Sequence, residues 1–288
     1  MFWLPLVVVS SFCVAFSTAI NKKIIGRGVN ELVSGLWLQA LALPLFYLAV
    51  LLNGIPEFGP DFLWATVVSG LLNIAAVVCI VKAIKHSPLA LTVPYLGFTP
   101  VFLLATSWWM LGEFPSSTGL IGILLVVVGA LLLHKEKGDG FFSLLKNIWG
   151  ERGSRYMLLA SLIFSFSSNL DKIAVLNSSV IFYPAAINSV IVLGLIVIVY
   201  HERKQLEFFA VKKHPRLFLL AAFSFNIMIF THVAALPLTI VPYLVSVKRL
   251  SGIFSILLGY ILFREEKLGQ HLLGGVVMFF GVALIALG

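Results

Sequence analysis

The sequence predicts an all-α integral membrane protein with ten transmembrane helices, arranged as two inverted five-helix repeats. Apolar residues make up 60% of the 288 residues and charged residues only 11%, whereas a soluble domain carries about 25% charged residues. At about 20 residues per bilayer crossing, a chain of this length accommodates ten helices and short connections. A large water-soluble enzyme module is therefore excluded.

Apolar runs of bilayer-spanning length define the elements in order. The predicted spans cover residues 2–21, 31–53, 62–84, 88–111, 116–134, 156–176, 180–200, 216–236, 240–263 and 268–287. The first run has no basic segment and no small-residue cleavage site, so we expect a retained helix and not a signal peptide. Both cysteines, Cys13 and Cys79, lie inside apolar runs and are expected to be small core residues without a disulfide.

Basic residues are distributed very unevenly among the connections. All of them except Lys172, Lys248 and Arg249 lie in or beside the connections that follow odd-numbered spans. By the positive-inside rule these connections are cytoplasmic. We therefore expect a multi-pass protein of a cell membrane, a prokaryotic inner or plasma membrane, with both termini on the non-cytoplasmic side. The net charge of +8 then reflects orientation in the bilayer and does not indicate a nucleic-acid partner.

The two halves of the sequence resemble each other. Val93-Pro94-Tyr95-Leu96 opens span four, and Val241-Pro242-Tyr243-Leu244 opens span nine, 148 residues later. Three further residues recur at an offset of 152 as Glu265, Gly274 and Gly281, matching Glu113, Gly122 and Gly129. Self-similarity at a fixed period is the signature of a repeated structural unit.

An odd number of spans per repeat places the two halves in opposite orientations. We expect the first repeat at residues 1–134, a cytoplasmic linker at 135–155 and the second repeat at 156–288. Many secondary transporters have this architecture, with the substrate site at the midplane between the halves. The symmetry favours transport by alternating access, because two nearly equivalent packings can exchange roles.

These motifs resemble those of the drug/metabolite transporter superfamily, in its ten-helix branch with two EamA-type repeats. The resemblance rests on residues 83–88, on Val93-Pro94-Tyr95-Leu96, on Gly112-Glu113 and on the glycines of span five, all echoed in the second half. It covers essentially the whole chain. It implies a ten-helix bundle that moves small metabolites across the membrane and holds no bound cofactor.

Lys248 and Arg249 lie deep in span nine, roughly 12–14 Å from its start at 1.5 Å per residue. Each charge costs about 2.5–3.5 kcal/mol at the bilayer centre, so the pair must be compensated. One explanation is an ion pair with Asp171, which alone among the acidic residues lies well inside a predicted span. The other is contact with an anionic group of the substrate. We favour the second, because one aspartate cannot neutralise two cations and Lys172 competes for it.

The segment Ser246-Val247-Lys248-Arg249 is also similar to a Lys-Arg pair on the equivalent helix of a more distant branch, the sugar-phosphate and nucleotide-sugar translocators. In the sugar-phosphate translocators the pair binds phosphate, which suits the planar fork of arginine and the point charge of lysine. The resemblance implies that Lys248 and Arg249 bind an anion. A carboxylate would satisfy the same cations, so phosphate and carboxylate both stay open.

Other polar residues inside the spans are weaker candidates for the site. Asn73 and Asn226 could line a cavity, although bonds between helices are the commoner use of such residues. His232 could relay protons, or it could be an ordinary buried histidine.

The paired motifs of spans four and nine offer two further pairs of candidates. Tyr95 and Tyr243 are expected to face the pathway. Pro94 and Pro242 are either hinges or ordinary prolines near a helix start, where the missing N–H is harmless. Glu113 is expected to interact with the N-terminus of the helix that follows it.

Enzyme and metal motifs are absent from the sequence. It has no HExxH, GxSxG or Walker loop and no Cys/His cluster with metal-ligand spacing. Span one lacks the carboxylate that small-multidrug exporters use to exchange protons for cationic drugs. The sequence therefore predicts a protein that is not an enzyme and that holds no metal and no cofactor.

The function that these observations favour is secondary active transport of a small metabolite with an anionic group. One alternative is an exporter of neutral amino acids or apolar compounds in which Lys248 and Arg249 are structural. An alternative from another class is a non-transporting membrane receptor or assembly subunit. The expected partners are a small-molecule substrate and the lipid bilayer. The residues identify no coupling ion, and both a monomer and a homodimer are compatible with the sequence.

Overall fold

The computed structural model describes residues 1–87, 92–133, 151–202, 209–263 and 268–288. Within these ranges the chain is helical and contains no strand. The principal helices are α1 (Trp3–Ile25), α2 (Glu31–Asn53), α3 (Phe62–His86), α4 (Thr99–Leu111), α5 (Ser117–Leu133), α6 (Arg152–Leu176), α7 (Phe182–His201), α8 (Pro215–Ala235), α9a (Val241–Lys248), α9b (Ser251–Phe263) and α10 (Leu268–Leu287). Three shorter elements are the 3₁₀ segments Val93–Phe98 and Leu236–Leu238 and the helix Ala210–Lys213.

The apolar length of these helices is that of a membrane protein. Among the described residues, seven candidate spans are long and apolar enough to cross a bilayer, with α9a and α9b counted as one span, and two shorter apolar helices accompany them. The predicted all-α membrane class is confirmed, while the count of ten spans stays a prediction. Residues 135–150 of the predicted linker lie outside the described residues. Of its remaining residues, 152–155 belong to α6, which begins at Arg152, four residues before the predicted start of span six.

The helices form two groups with equivalent contacts, and exchanging the two halves of the chain converts one group into the other. In the first group, α1 packs on α8 and α9b, and in the second group, α6 packs on α3 and α4. The helix α2 also contacts α8, and α7 also contacts α3. We call the first group (α1, α2, α8, α9a and α9b) bundle A and the second (α3, α4, α6 and α7) bundle B. The bundles meet where α2 packs on α7 and α4 packs on α9a.

The remaining pair, α5 and α10, packs closely through glycine. A Cβ atom on Gly122 would lie 2.6 Å from the carbonyl oxygen of Gly281, and one on Gly129 would lie 2.8 Å from that of Gly274. Backbones can approach this closely only where neither residue carries a side chain. The glycines that recur in the two halves of the sequence therefore let these two helices pack closely.

Spans four and nine are both interrupted. The 3₁₀ segment Val93–Phe98 precedes α4, and α9a ends at Lys248 before α9b begins at Ser251. The amide of Arg249 bonds to the carbonyl of Ser246 at 3.0 Å, which is the tighter i to i−3 spacing of a 3₁₀ turn. Discontinuous helices of this kind are where transporters commonly build their binding sites.

The two prolines proposed as hinges lie at the beginnings of these interrupted spans. Pro94 is in the first turn of the 3₁₀ segment, and Pro242 is in the first turn of α9a. The break in span nine comes well after Pro242, at the other end of α9a. Pro242 therefore occupies the harmless position near a helix start, and the irregular backbone lies beside the two cations.

Candidate functional site

A cavity of about 450 Å³ lies between the two bundles. Bundle A contributes residues from α1, α2, α8 and span nine, and bundle B contributes residues from α4, α3, α6 and α7. Its wall is largely apolar, with Phe164, Ile187 and Phe225 among the lining residues. Polar and charged side chains from both bundles also line the cavity.

Lys248 and Arg249 both line this cavity. Lys248 is the last residue of α9a, and Arg249 occupies the turn that separates α9a from α9b. Within the described part of the chain, neither side chain has an acidic partner within 4 Å. The Nε atom of Arg249 is buried and has no hydrogen-bond acceptor there. The break in span nine thus presents two cations to the cavity that have no direct ion-pair partner among the described residues.

Asp171 lines the same cavity but does not neutralise these cations by direct contact. Its Oδ1 atom accepts a 2.5 Å hydrogen bond from the Tyr183 hydroxyl and a second bond from the Ser69 hydroxyl. Among the described residues, no ion pair within 4 Å joins Asp171 to Lys248 or Arg249. Hydroxyl donors from α3 and α7 therefore bond one oxygen of the carboxylate, and the alternative explanation, a direct ion pair with Lys248 or Arg249, is not formed among the described residues.

Lys172 does not compete for Asp171, which corrects the sequence-based expectation. Its ammonium group pairs with Glu113, and the two side chains are only 10% and 14% exposed. Adjacent residues of a helix point about 100° apart. Asp171 can therefore face the cavity while Lys172 points to a different neighbour.

Two further candidates, Asn73 and His232, also line the cavity. The Asn73 amide donates a 2.9 Å hydrogen bond to the carbonyl of Ser69, so it helps to position the residue that holds Asp171. The Nδ1 atom of His232 is buried and has no partner among the described residues. The sequence does not point to Ser69 and Tyr183, because an apolar run does not show on which face of the helix a hydroxyl side chain lies.

Three predicted site residues are not among the described residues that line the cavity. Tyr95 is fully buried, packs with Ala83 and Met157, and stacks on Phe98 with 6.3 Å between ring centroids. Asn226 is buried within α8, where its amide donates a 2.9 Å bond to the carbonyl of its own helix four residues earlier.

Tyr243 is the third of these residues and joins α9a to the beginning of α5. Its ring stacks on Trp3 at 6.5 Å, and its hydroxyl accepts a 3.0 Å hydrogen bond from the amide of Ser116. A Cβ atom on Gly119 would collide with the same hydroxyl. Tyr243 is thus enclosed between helices and does not face the pathway.

Glu113 interacts with a different helix from the one expected. Gly112 ends α4 in the left-handed region, at φ 68°, and Glu113 follows at the start of the connection to α5. Its Oε2 atom accepts a 2.9 Å hydrogen bond from the amide of Val241, the first residue of α9a. The carboxylate therefore accepts a hydrogen bond at the N-terminus of α9a, which belongs to the other half of the chain, and not at the N-terminus of α5.

A family comparison agrees with this geometry. The model of the EamA-like transporter family matches residues 1–134, the first of the two predicted repeats. This match places the first part of the chain in the drug/metabolite transporter superfamily. No curated protein matches the chain in sequence. The chain also resembles a solved crystal structure, with a TM-score of 0.69 and 15% identity over 99% of this chain and 96% of the other. At that identity the likeness concerns the fold alone.

Superfamily membership and the apolar helices together indicate a multi-pass membrane transporter. They also indicate a non-enzymatic protein that handles a small molecule within a lipid bilayer. The identity of that molecule depends on the residues of the cavity.

Proposed function

We propose that this member of the drug/metabolite transporter superfamily is a secondary active transporter for a small metabolite with an anionic group. The observation that carries the proposal is the pair Lys248 and Arg249. Both lie at the break in span nine, line a cavity between two helix bundles, and lack an acidic partner within 4 Å among the described residues. An anion that enters the cavity supplies the missing partner.

The electrostatics of the site support an anionic ligand. Cations inside a bilayer are expensive and are usually compensated. A hydrogen bond to a charged group contributes about 1.5–3 kcal/mol, and the guanidinium fork of Arg249 suits a planar carboxylate or a phosphate. A structural role for both cations would require acidic partners in the protein, and none lies within 4 Å of them in the described ranges.

The arrangement of the helices supports alternating access between two inverted repeats. Contacts between helices are preserved when the two halves of the chain are exchanged, as expected for inverted repeats that swap roles. The cavity lies between bundle A and bundle B, so a rocking motion of one bundle against the other opens it to either side in turn.

Asp171 favours a second candidate, a transporter for zwitterions such as neutral amino acids. Its carboxylate lines the same cavity as Lys248 and Arg249. A zwitterion would place its carboxylate at the two cations and its ammonium group at Asp171. The apolar wall would then receive the side chain. In this version Lys248 and Arg249 are still ligands for the substrate.

Uptake and counterflow in proteoliposomes test the proposal with a panel of sugar phosphates, organic acids and amino acids. We expect Lys248→Gln and Arg249→Gln each to lower uptake of the transported compound by roughly 10- to 100-fold, because each variant loses one charge-assisted hydrogen bond. Lys85→Gln, which removes an exposed lysine at the end of α3, is the matched control and is expected to have no effect. Unchanged uptake in both cavity variants would exclude the anion site.

A further inference from the structure

We propose that Glu113 and Lys172 form a gate that closes the cavity at one end of the molecule. Both residues belong to the bundle B side, Lys172 in α6 and Glu113 in the connection that follows α4. Their carboxylate and ammonium groups pair with each other while they are mostly buried. We call this pair and the two backbone groups that it binds, at Thr239 and Val241, the clasp.

The clasp reaches from bundle B to bundle A through two hydrogen bonds. The Lys172 ammonium donates a 2.7 Å bond to the carbonyl of Thr239, in the connection between α8 and α9a. The Glu113 carboxylate accepts a 2.9 Å bond from the amide of Val241. These bonds join the two bundles that enclose the cavity, so the bundles cannot separate at this end while the clasp is intact.

The position of the clasp relative to the cations links the gate to the substrate site. Val241 and Lys248 are the two ends of α9a, an eight-residue helix about 12 Å long at 1.5 Å per residue. The clasp holds one end of this helix, and the proposed anion site lies at the other end. A ligand that shifts Lys248 therefore also shifts Val241 relative to Glu113.

The chemistry of the clasp suits a contact that forms and breaks repeatedly. A buried ion pair adds little net stability, because desolvation offsets most of its attraction. The groups bound on bundle A are a backbone amide and a carbonyl at the start of a helix, which water can satisfy when the bundles separate.

The gate can be tested without a substrate by the accessibility of a cysteine in the cavity. Ser168→Cys places a thiol among the lining residues, in a protein whose Cys13 and Cys79 are replaced by alanine. A small membrane-impermeant thiol reagent is added to right-side-out and to inside-out vesicles. A separate Glu57→Cys variant, in the connection between α2 and α3, shows which side of the membrane is the clasp end.

We expect Glu113→Gln to raise the labelling rate of the cavity thiol from the clasp end by about tenfold, and to lower it from the opposite side, because a shifted equilibrium changes both populations. Lys172→Met is expected to act in the same way, and the double variant to exceed neither single one, since the two residues form one unit. Glu57→Gln, an exposed carboxylate at the same end, is the control.

Three results would overturn the gate: a labelling rate for Glu113→Gln equal to that of the parent protein, an equal rise from both sides, or the same change in Glu57→Gln. If the Lys172→Met protein does not accumulate in the membrane, the Glu113→Gln protein still tests the gate, because glutamine is nearly the same size and shape as glutamate. The gate rests on the alternating access of the proposed function, but labelling is independent of the substrate. If the Lys248 and Arg249 variants keep their uptake while Glu113→Gln changes labelling in opposite directions from the two sides, only the proposed anionic substrate would be contradicted.

Discussion

Replacing Gly129 with alanine is expected to push α5 and α10 apart. The added Cβ atom would lie 2.5 Å from the Met278 Cγ atom and 2.8 Å from both the Gly274 carbonyl oxygen and the Met278 amide nitrogen. Ordinary Cβ contacts begin at 3.4 Å. The Met278 side chain can move, but the two backbone atoms move only if the helices separate by roughly 0.6 Å.

The expected cost follows from this misfit. Overpacking of a close contact destabilises a protein by about 1–3 kcal/mol. A change from glycine to alanine inside a helix also contributes about 1 kcal/mol of favourable helix propensity. Gly35 is the matched control, since it lies inside α2 and an added Cβ atom there meets nothing within 4 Å. The propensity gain is common to both variants, so their difference isolates the packing term.

Thermal unfolding of the purified variants in one detergent measures this difference. At about 2–4 °C per kcal/mol for chains of 150–250 residues, Gly129→Ala is expected to melt roughly 2–12 °C below Gly35→Ala. Equal melting temperatures would show that α5 and α10 do not approach as closely as the described contact.

Two further predictions concern the cavity and the contact beside it. Asp171→Asn is expected to tighten binding of simple organic anions by about tenfold, because the cavity no longer holds a negative charge that repels the anion, and to weaken binding of zwitterions. Thermal-shift titrations with an organic acid and an amino acid measure both, and unchanged affinities would show that Asp171 does not face the ligand. Tyr243→Phe is expected to cost about 1 kcal/mol of stability, because the Ser116 amide loses its acceptor. It should leave substrate uptake in proteoliposomes unchanged, and a large loss of uptake would place Tyr243 in the pathway after all.

Much of the site was predictable because charge inside an apolar run is conspicuous. Charge alone points to Lys248, Arg249 and Asp171, and all three line one cavity. A repeated motif points to Tyr95 and Tyr243, and both are enclosed by neighbouring helices. A membrane helix is apolar on the side that faces lipid and on the side that packs against protein. Its pattern therefore does not show which polar residue points into a cavity.

The sequence by itself determined the membrane class, the approximate bounds of the helices, the internal repeat and the position of Lys248 and Arg249 within the apolar run of span nine. These properties depend on local hydrophobicity and on spacing along the chain, because an apolar run must be long enough to cross the hydrocarbon core of the bilayer. Only the tertiary structure decided that Glu113 pairs with Lys172 and holds α9a, that Asp171 is satisfied by Ser69 and Tyr183, and that span nine breaks beside its cations. Those contacts join residues far apart in the chain, and the packing of the two bundles selects them.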